Sequence, residues 1–178
     1  MRDMTPKPGF LEAVRESTEE NDVLLVFDEV ISFRLSRGGA QEYYGVKPDM
    51  TTLGKIIGGG FPVGAYVSSE DIMTPLDIPD SSLPDLASPM LGFSGTFNAF
   101  PLAMAAGLAV MKEMTRARYD KIAGLGEMMR SELRTTFTGE GVRVNVGGTG
   151  SFFNIGWTDV DVFDYATAAT GDRGLATL

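Results

Sequence analysis

The stretch VLLVFD, residues 23–28, constrains the fold more than any other part of this chain. Five apolar residues in a row do not alternate as the one-sided face of a strand must. The run therefore reads as a strand covered on both faces, as in a parallel sheet. The preceding FLEAVRESTEE, residues 10–20, sets Phe10, Leu11 and Val14 on a charged background, the pattern of an amphipathic helix. Asn21-Asp22 separates the two. A helix leading into a doubly covered strand predicts an α/β sheet with parallel strands.

The run closes on Asp28, at the strand's carboxyl end, where open α/β sheets place their ligands. Two other readings stand beside that one. The carboxylate could cap the following turn, or bind a metal with Glu29, although no further ligands stand at sensible spacing. Lys55 is the second candidate, inside TTLGKIIGGGFPVGA. An ordinary lysine there would lie on the surface beside a turn, because lysine is seldom buried unpaired. Its neighbours Leu53, Ile56 and Ile57 argue instead for a buried amine, and Gly54 and Gly58–Gly60 leave room for a cofactor. Desolvation would favour nucleophilic attack by such an amine. A phosphate-cradling lysine of the P-loop type fails on spacing. Asp49 stands where that motif needs its first glycine, and Ile56 replaces its Ser or Thr. An acid at a strand end with a buried lysine downstream suits pyridoxal 5′-phosphate (PLP) chemistry. The carboxylate holds the pyridine nitrogen protonated, and the amine forms the Schiff base.

Composition removes several competitors. The 178 residues contain no His and no Cys. Ser-His-Asp triads, Cys-His pairs, His-based zinc sites and disulfides are thereby excluded within the chain, and no metal site is expected. The formal net charge is −9 and no basic stripe forms, so nucleic acid is a poor partner. No apolar stretch is long enough to span a membrane, and MRDMTPKPGF lacks the apolar core of a secretory signal. The expected location is cytoplasmic.

Further along, a short helical stretch should run through Tyr44, with strands at residues 49–53 and 63–68. Residues 75–92, rich in Pro, Ser and Asp, read as the longest loop. A helix is expected from Asn98 to about Met114, with Pro101 in its first turn and Gly107 admitting a close neighbour. A second should cover Tyr119 to Phe137, followed by strands at 142–146 and 151–155 around a hairpin turn, Gly148-Thr149-Gly150. Ser94-Gly95-Thr96 stands where a helix start binds phosphate or is simply capped. A boundary near residues 115–118 divides the chain into 1–116 and 117–178. The amphipathic pattern begun at 161 stops at Leu178 without a helix-ending signal.

LLVFDEVISFRLSRGGAQEYYGVKPDMTTLGKIIGGGFPVGA closely resembles the PLP-attachment region of class III aminotransferases, and GFSGTFNAFPLAMAAGLAVM resembles a segment downstream in that family. The likeness is strongest to glutamate-1-semialdehyde 2,1-aminomutases and related transaminases. It runs from about Pro6 to Val110, and more loosely through GTGSFFNIGW. The resemblance implies fold type I: a mostly parallel α/β large domain, here partial, plus the beginning of an α+β C-terminal small domain. It implies that Lys55 forms the Schiff base, Asp28 partners the pyridinium nitrogen and Val30 packs on one face of the ring. Gly95 and Thr96 would bind the cofactor phosphate of the neighbouring subunit, in a homodimer of the full-length parent. The implied substrate is a small amino acid or amino-aldehyde. The implied reaction is amino-group transfer, aminomutase-like first, or by a transaminase of β- or ω-amino acids. DEVISFR is one residue shorter than the usual aminomutase form, as in some of those transaminases. Family chains are more than twice this length, so the chain reads as a fragment that binds PLP poorly and is inactive alone. A catalytically silent truncated chain is the reading from a different class.

Overall fold

The computed structural model describes residues 5–74, 95–158, 160, 162 and 164–168. Helix α1, Phe10–Glu20, is entered through Gly9 in the left-handed conformation (φ 82°). Arg15 on α1 pairs with Glu19 one turn on (3.0 Å) and reaches Asp49 (2.9 Å). The helix is thus tied to the segment that precedes the second strand.

Strand β1 is only Val26–Asp28, shorter than the apolar run that announced it. The backbone explains the difference. Val23 N–H donates back to Thr18 of α1, and Leu25 N–H donates to the Asp49 carboxylate (2.7 Å). Those groups are spent before the ladder begins. β1 runs parallel to β2, Met50–Gly54, with Val26 opposite Met50 and Asp28 opposite Thr52. β3, Gly64–Ser68, runs antiparallel to β2, so the three-stranded sheet β1-β2-β3 is mixed. The expected cover on both faces of VLLVFD is absent. Val23, Leu24 and Val26 are 54%, 57% and 47% exposed, and only Leu25 is buried. β1 ends the sheet, and among the described residues no strand flanks its outer side.

A 3₁₀ turn at Ser32–Leu35 leads from β1 into α2, Gly39–Tyr44. Glu29 fastens this corner. Its wholly buried carboxylate accepts the N–H groups of Ala40 (2.5 Å) and Gln41 (3.1 Å) and the Gln41 side-chain amide (3.3 Å). Orphan donors at the start of α2 are thereby satisfied.

After β2 the chain turns through a second 3₁₀ segment, Lys55–Gly58, and after β3 it makes one turn of helix, α3, Glu70–Met73. α4 spans Pro101–Glu113, starting later than the apolar pattern suggested. Proline holds Phe100 at ψ 118°, outside the helical region, and Ala99 adopts φ 51°. Gly107 does admit a close neighbour: a β-carbon there would run into the Ile57 carbonyl. Gly59 answers from the other side, where a β-carbon would strike the Ala106 carbonyl. α4 therefore lies directly on the 3₁₀ segment that begins with Lys55.

α5, Arg116–Gly139, outruns its expected range at both ends. It carries the hairpin β4, Asn145–Gly147, and β5, Asn154–Gly156, which pair antiparallel, each starting three residues and ending one residue later than expected. Arg130, 4% exposed, donates to the carbonyls of Gly150 (2.8 Å) and Phe152 (2.6 Å), and Arg134 donates to that of Val146 (2.8 Å). A short α6 at Tyr165–Ala168 follows. The expected loop at 75–92, Ser94 and most of the 161–178 pattern lie outside the described residues. No helix among the described residues is long and apolar enough to cross a membrane.

Candidate active site

Parallel neighbours expose their carboxyl ends side by side, and that is where Asp28 and Lys55 fall. Asp28 is the last residue of β1, and Lys55 follows the last residue of β2. Both line a cavity of about 720 Å³, together with Val30 and with Phe10, Leu11 and Val14 of α1. The structure thus joins three of the five residues singled out from the sequence.

Asp28 Oδ1 accepts the N–H of Val30 (3.1 Å) and the hydroxyl of Thr52 (3.1 Å). The turn-capping reading is therefore correct, and it is compatible with a ligand role, because the residue stays exposed. The metal reading fails. The Glu29 carboxylate is spent inside the corner on α2, and no cluster of metal-ligating side chains exists among the described residues.

Lys55 departs from expectation in one respect: it is exposed, not buried. Apolar neighbours in sequence do not bury a side chain when they point elsewhere. Lys55 does adopt φ 48°, a left-handed conformation that costs an L-residue about 1–2 kcal/mol and that occurs preferentially at functional sites. The flanking glycines are also reassigned. Gly59 serves the contact with α4, Gly58 faces a Val63 methyl, and Gly54 faces the Val30 methyls (3.3 Å). Gly60 alone keeps open space.

Lys55, Val30, Ile31 and Phe152 also border a second cavity of about 830 Å³, lined further by Arg34, Ile56, Phe61 and Val63. Arg34 lies over the Phe152 ring, 5.5 Å from its centroid. The hairpin turn Gly148-Thr149-Gly150 contributes more than its sequence suggested. Gly148 and Thr149 line the first cavity, beside Tyr44. Burial raises the Tyr44 phenol pKa, against a hydrogen bond with Thr149 that lowers it. Nothing in the sequence placed Arg34, Phe152, Tyr44 or Thr149 near Lys55.

Gly95 and Thr96 border neither cavity. They sit in an exposed turn closed by Asn98 N–H on the Gly95 carbonyl (3.0 Å). Phe100, which follows that turn, meets Phe61 of the second cavity edge-on at 6.5 Å.

The class III aminotransferase family model matches residues 2–178. The chain belongs to that family. Its members are PLP-dependent enzymes of fold type I, and this chain carries a mixed-sheet part of that α/β fold. The glutamate-1-semialdehyde 2,1-aminomutase of Methanobrevibacter smithii is 41% identical over 168 residues, 94% of this chain and 38% of that relative. An ω-transaminase from Sphaerobacter thermophilus is 41% identical with a TM-score of 0.80, covering 91% of this chain and 36% of that one. A β-phenylalanine aminotransferase from Variovorax paradoxus is 36% identical with a TM-score of 0.83, covering 98% and 39%. This class III chain therefore spans about two fifths of the length of these relatives.

Proposed function

We propose that this chain supplies the ring-nitrogen acid and the reacting amine of a PLP site for amino-group transfer on a small amino-acid or amino-aldehyde substrate. One observation carries the reading: Asp28, Val30 and Lys55 open on a single cavity at the carboxyl ends of two adjacent parallel strands. The residues present suit the cofactor. They offer one carboxylate, one amine and one apolar platform, around a volume ample for a pyridine ring. When bound, PLP supplies an aldehyde that takes up amino groups and a ring that withdraws electrons from the substrate carbon. Asp28 would hold the proton on the ring nitrogen. Lys55 Nζ would hold the aldehyde end and, once freed, act as the base for the proton on the substrate carbon. Val30 would exclude water from one ring face.

The aminomutase-like reading rests on relatives such as the M. smithii enzyme. A second reading, a transaminase of β- or ω-amino acids, is favoured by the solved relatives and by the apolar lining of the second cavity. In the full-length parent, residues 1–116 would belong to the large domain and 117–178 to the small one. Gly95 and Thr96, remote from this cavity, would serve the cofactor phosphate of a second subunit in a cytoplasmic homodimer.

The test uses the full-length parent. Glutamate-1-semialdehyde alone should be isomerised under the first reading. Under the second, β-amino acids should transaminate with pyruvate. Lys55→Ala should abolish either reaction, and retained transfer by that variant would overturn the assignment. Failure of the full-length parent with every substrate would overturn both readings.

A further inference from the structure

The two cavities differ in charge. Asp28 faces the first. Among the described residues the second has no acid in its lining, and its charged groups are Arg34 and Lys55, set among aliphatic and aromatic side chains. Arg34 is anchored at its base. Its 3₁₀ turn is held by Phe33 N–H on the Glu29 carbonyl (3.1 Å) and by buried Leu35. Its guanidinium rests on Phe152 and enters no ion pair among the described residues. A planar fork of donors without an acid, at the mouth of an apolar cavity, matches a carboxylate.

We propose that Arg34 receives the substrate's carboxylate and that the second cavity takes its apolar body against Phe61, Val63 and Phe152. The inference rests on Lys55 being the reacting amine, because Lys55 alone among the cations borders both cavities. It makes the preferred substrate an amino acid with a hydrophobic, aryl-sized substituent. It makes Arg34 a specificity-determining residue.

The test titrates the full-length parent with 3-phenylpropanoate, followed by saturation-transfer NMR. Saturable binding of order 1 mM is expected, the level set by a ligand of this size. Arg34→Gln should weaken it about tenfold or more, and Arg34→Lys less, since charge survives without the fork. The neutral amide of the same acid should bind weakly and respond little to Arg34→Gln, a pattern that a merely structural role for Arg34 would not produce. No binding, equal loss of acid and amide, or displacement by inorganic phosphate at the same concentration would each overturn the proposal. The probe has no amine to transfer, so its binding is independent of the Lys55→Ala activity test. Either result can fail alone.

Discussion

Replacing Gly107 by alanine should destabilise the protein even though alanine is the better helix former. In open helix the exchange gains about 1 kcal/mol. Here the new β-carbon would lie 3.1 Å from the Ile57 carbonyl carbon, 3.5 Å from Gly58 Cα and closer still to the Ile57 oxygen. All three are backbone atoms, so no side chain can swing away. Restoring normal contact needs roughly a 1 Å retreat of α4 from the 3₁₀ segment. Overpacking of this kind costs about 3 kcal/mol at the upper end of its range, leaving a net loss of about 2 kcal/mol. Gly124 on α5 has nothing within 4 Å of the same position and serves as the control. Gly124→Ala should gain about 1 kcal/mol. In urea the first midpoint should fall by about 1 M and the second rise by about half that. A Gly107→Ala midpoint at or above that of the unmodified chain, with Gly124→Ala stabilised as expected, would refute the packing argument.

Glu29→Ala should cost about 3 kcal/mol, because it strands the N–H groups of Ala40 and Gln41; a loss under 1 kcal/mol in the same denaturation would show that water replaces the carboxylate. Lys55→Gly should exceed Lys55→Ala in stability by about 1 kcal/mol, since only glycine relieves φ 48°; equal midpoints would mean the backbone there is unstrained. Hydrogen bonding from Leu25 N–H, then from Arg15, holds the Asp49 carboxyl pKa below its ordinary value. Its contribution to stability is therefore complete above about pH 4 and is lost as pH falls through the lowered pKa. Asp49→Asn should flatten the acid limb of a midpoint-against-pH curve, and an unchanged limb would remove Asp49 from the account.

The parts legible in sequence were those fixed by local rules. Pro101 in the first turn of a helix, Gly107 at a close contact, and Asp28 and Lys55 at two strand ends were among them. The parts that were not legible depend on partners far along the chain. Hydrophobicity around Lys55 suggested burial, but Leu53, Ile56 and Ile57 leave its amine in the open. VLLVFD looked covered because its composition cannot say what lies beside it. Glu29 looked like a companion of Asp28, yet it follows the last residue of β1 and is drawn away by the free N–H groups of Ala40 and Gln41. Its carboxylate reaches α2 while that of Asp28 stays at the cavity. Thr149 and Phe152 belong to a hairpin that Arg130 and Arg134, far along the chain from Lys55, hold against α5.

Among the described residues β1 ends the sheet with an unmatched row of peptide groups, and Asp28 is its final residue. An unmatched strand is a template for another strand. Asp28 and that edge share one three-residue segment, so by whatever factor a ligand at Asp28 changes pairing at the edge, pairing changes the affinity for that ligand by the same factor. Light scattering of the chain with and without ligand measures that factor.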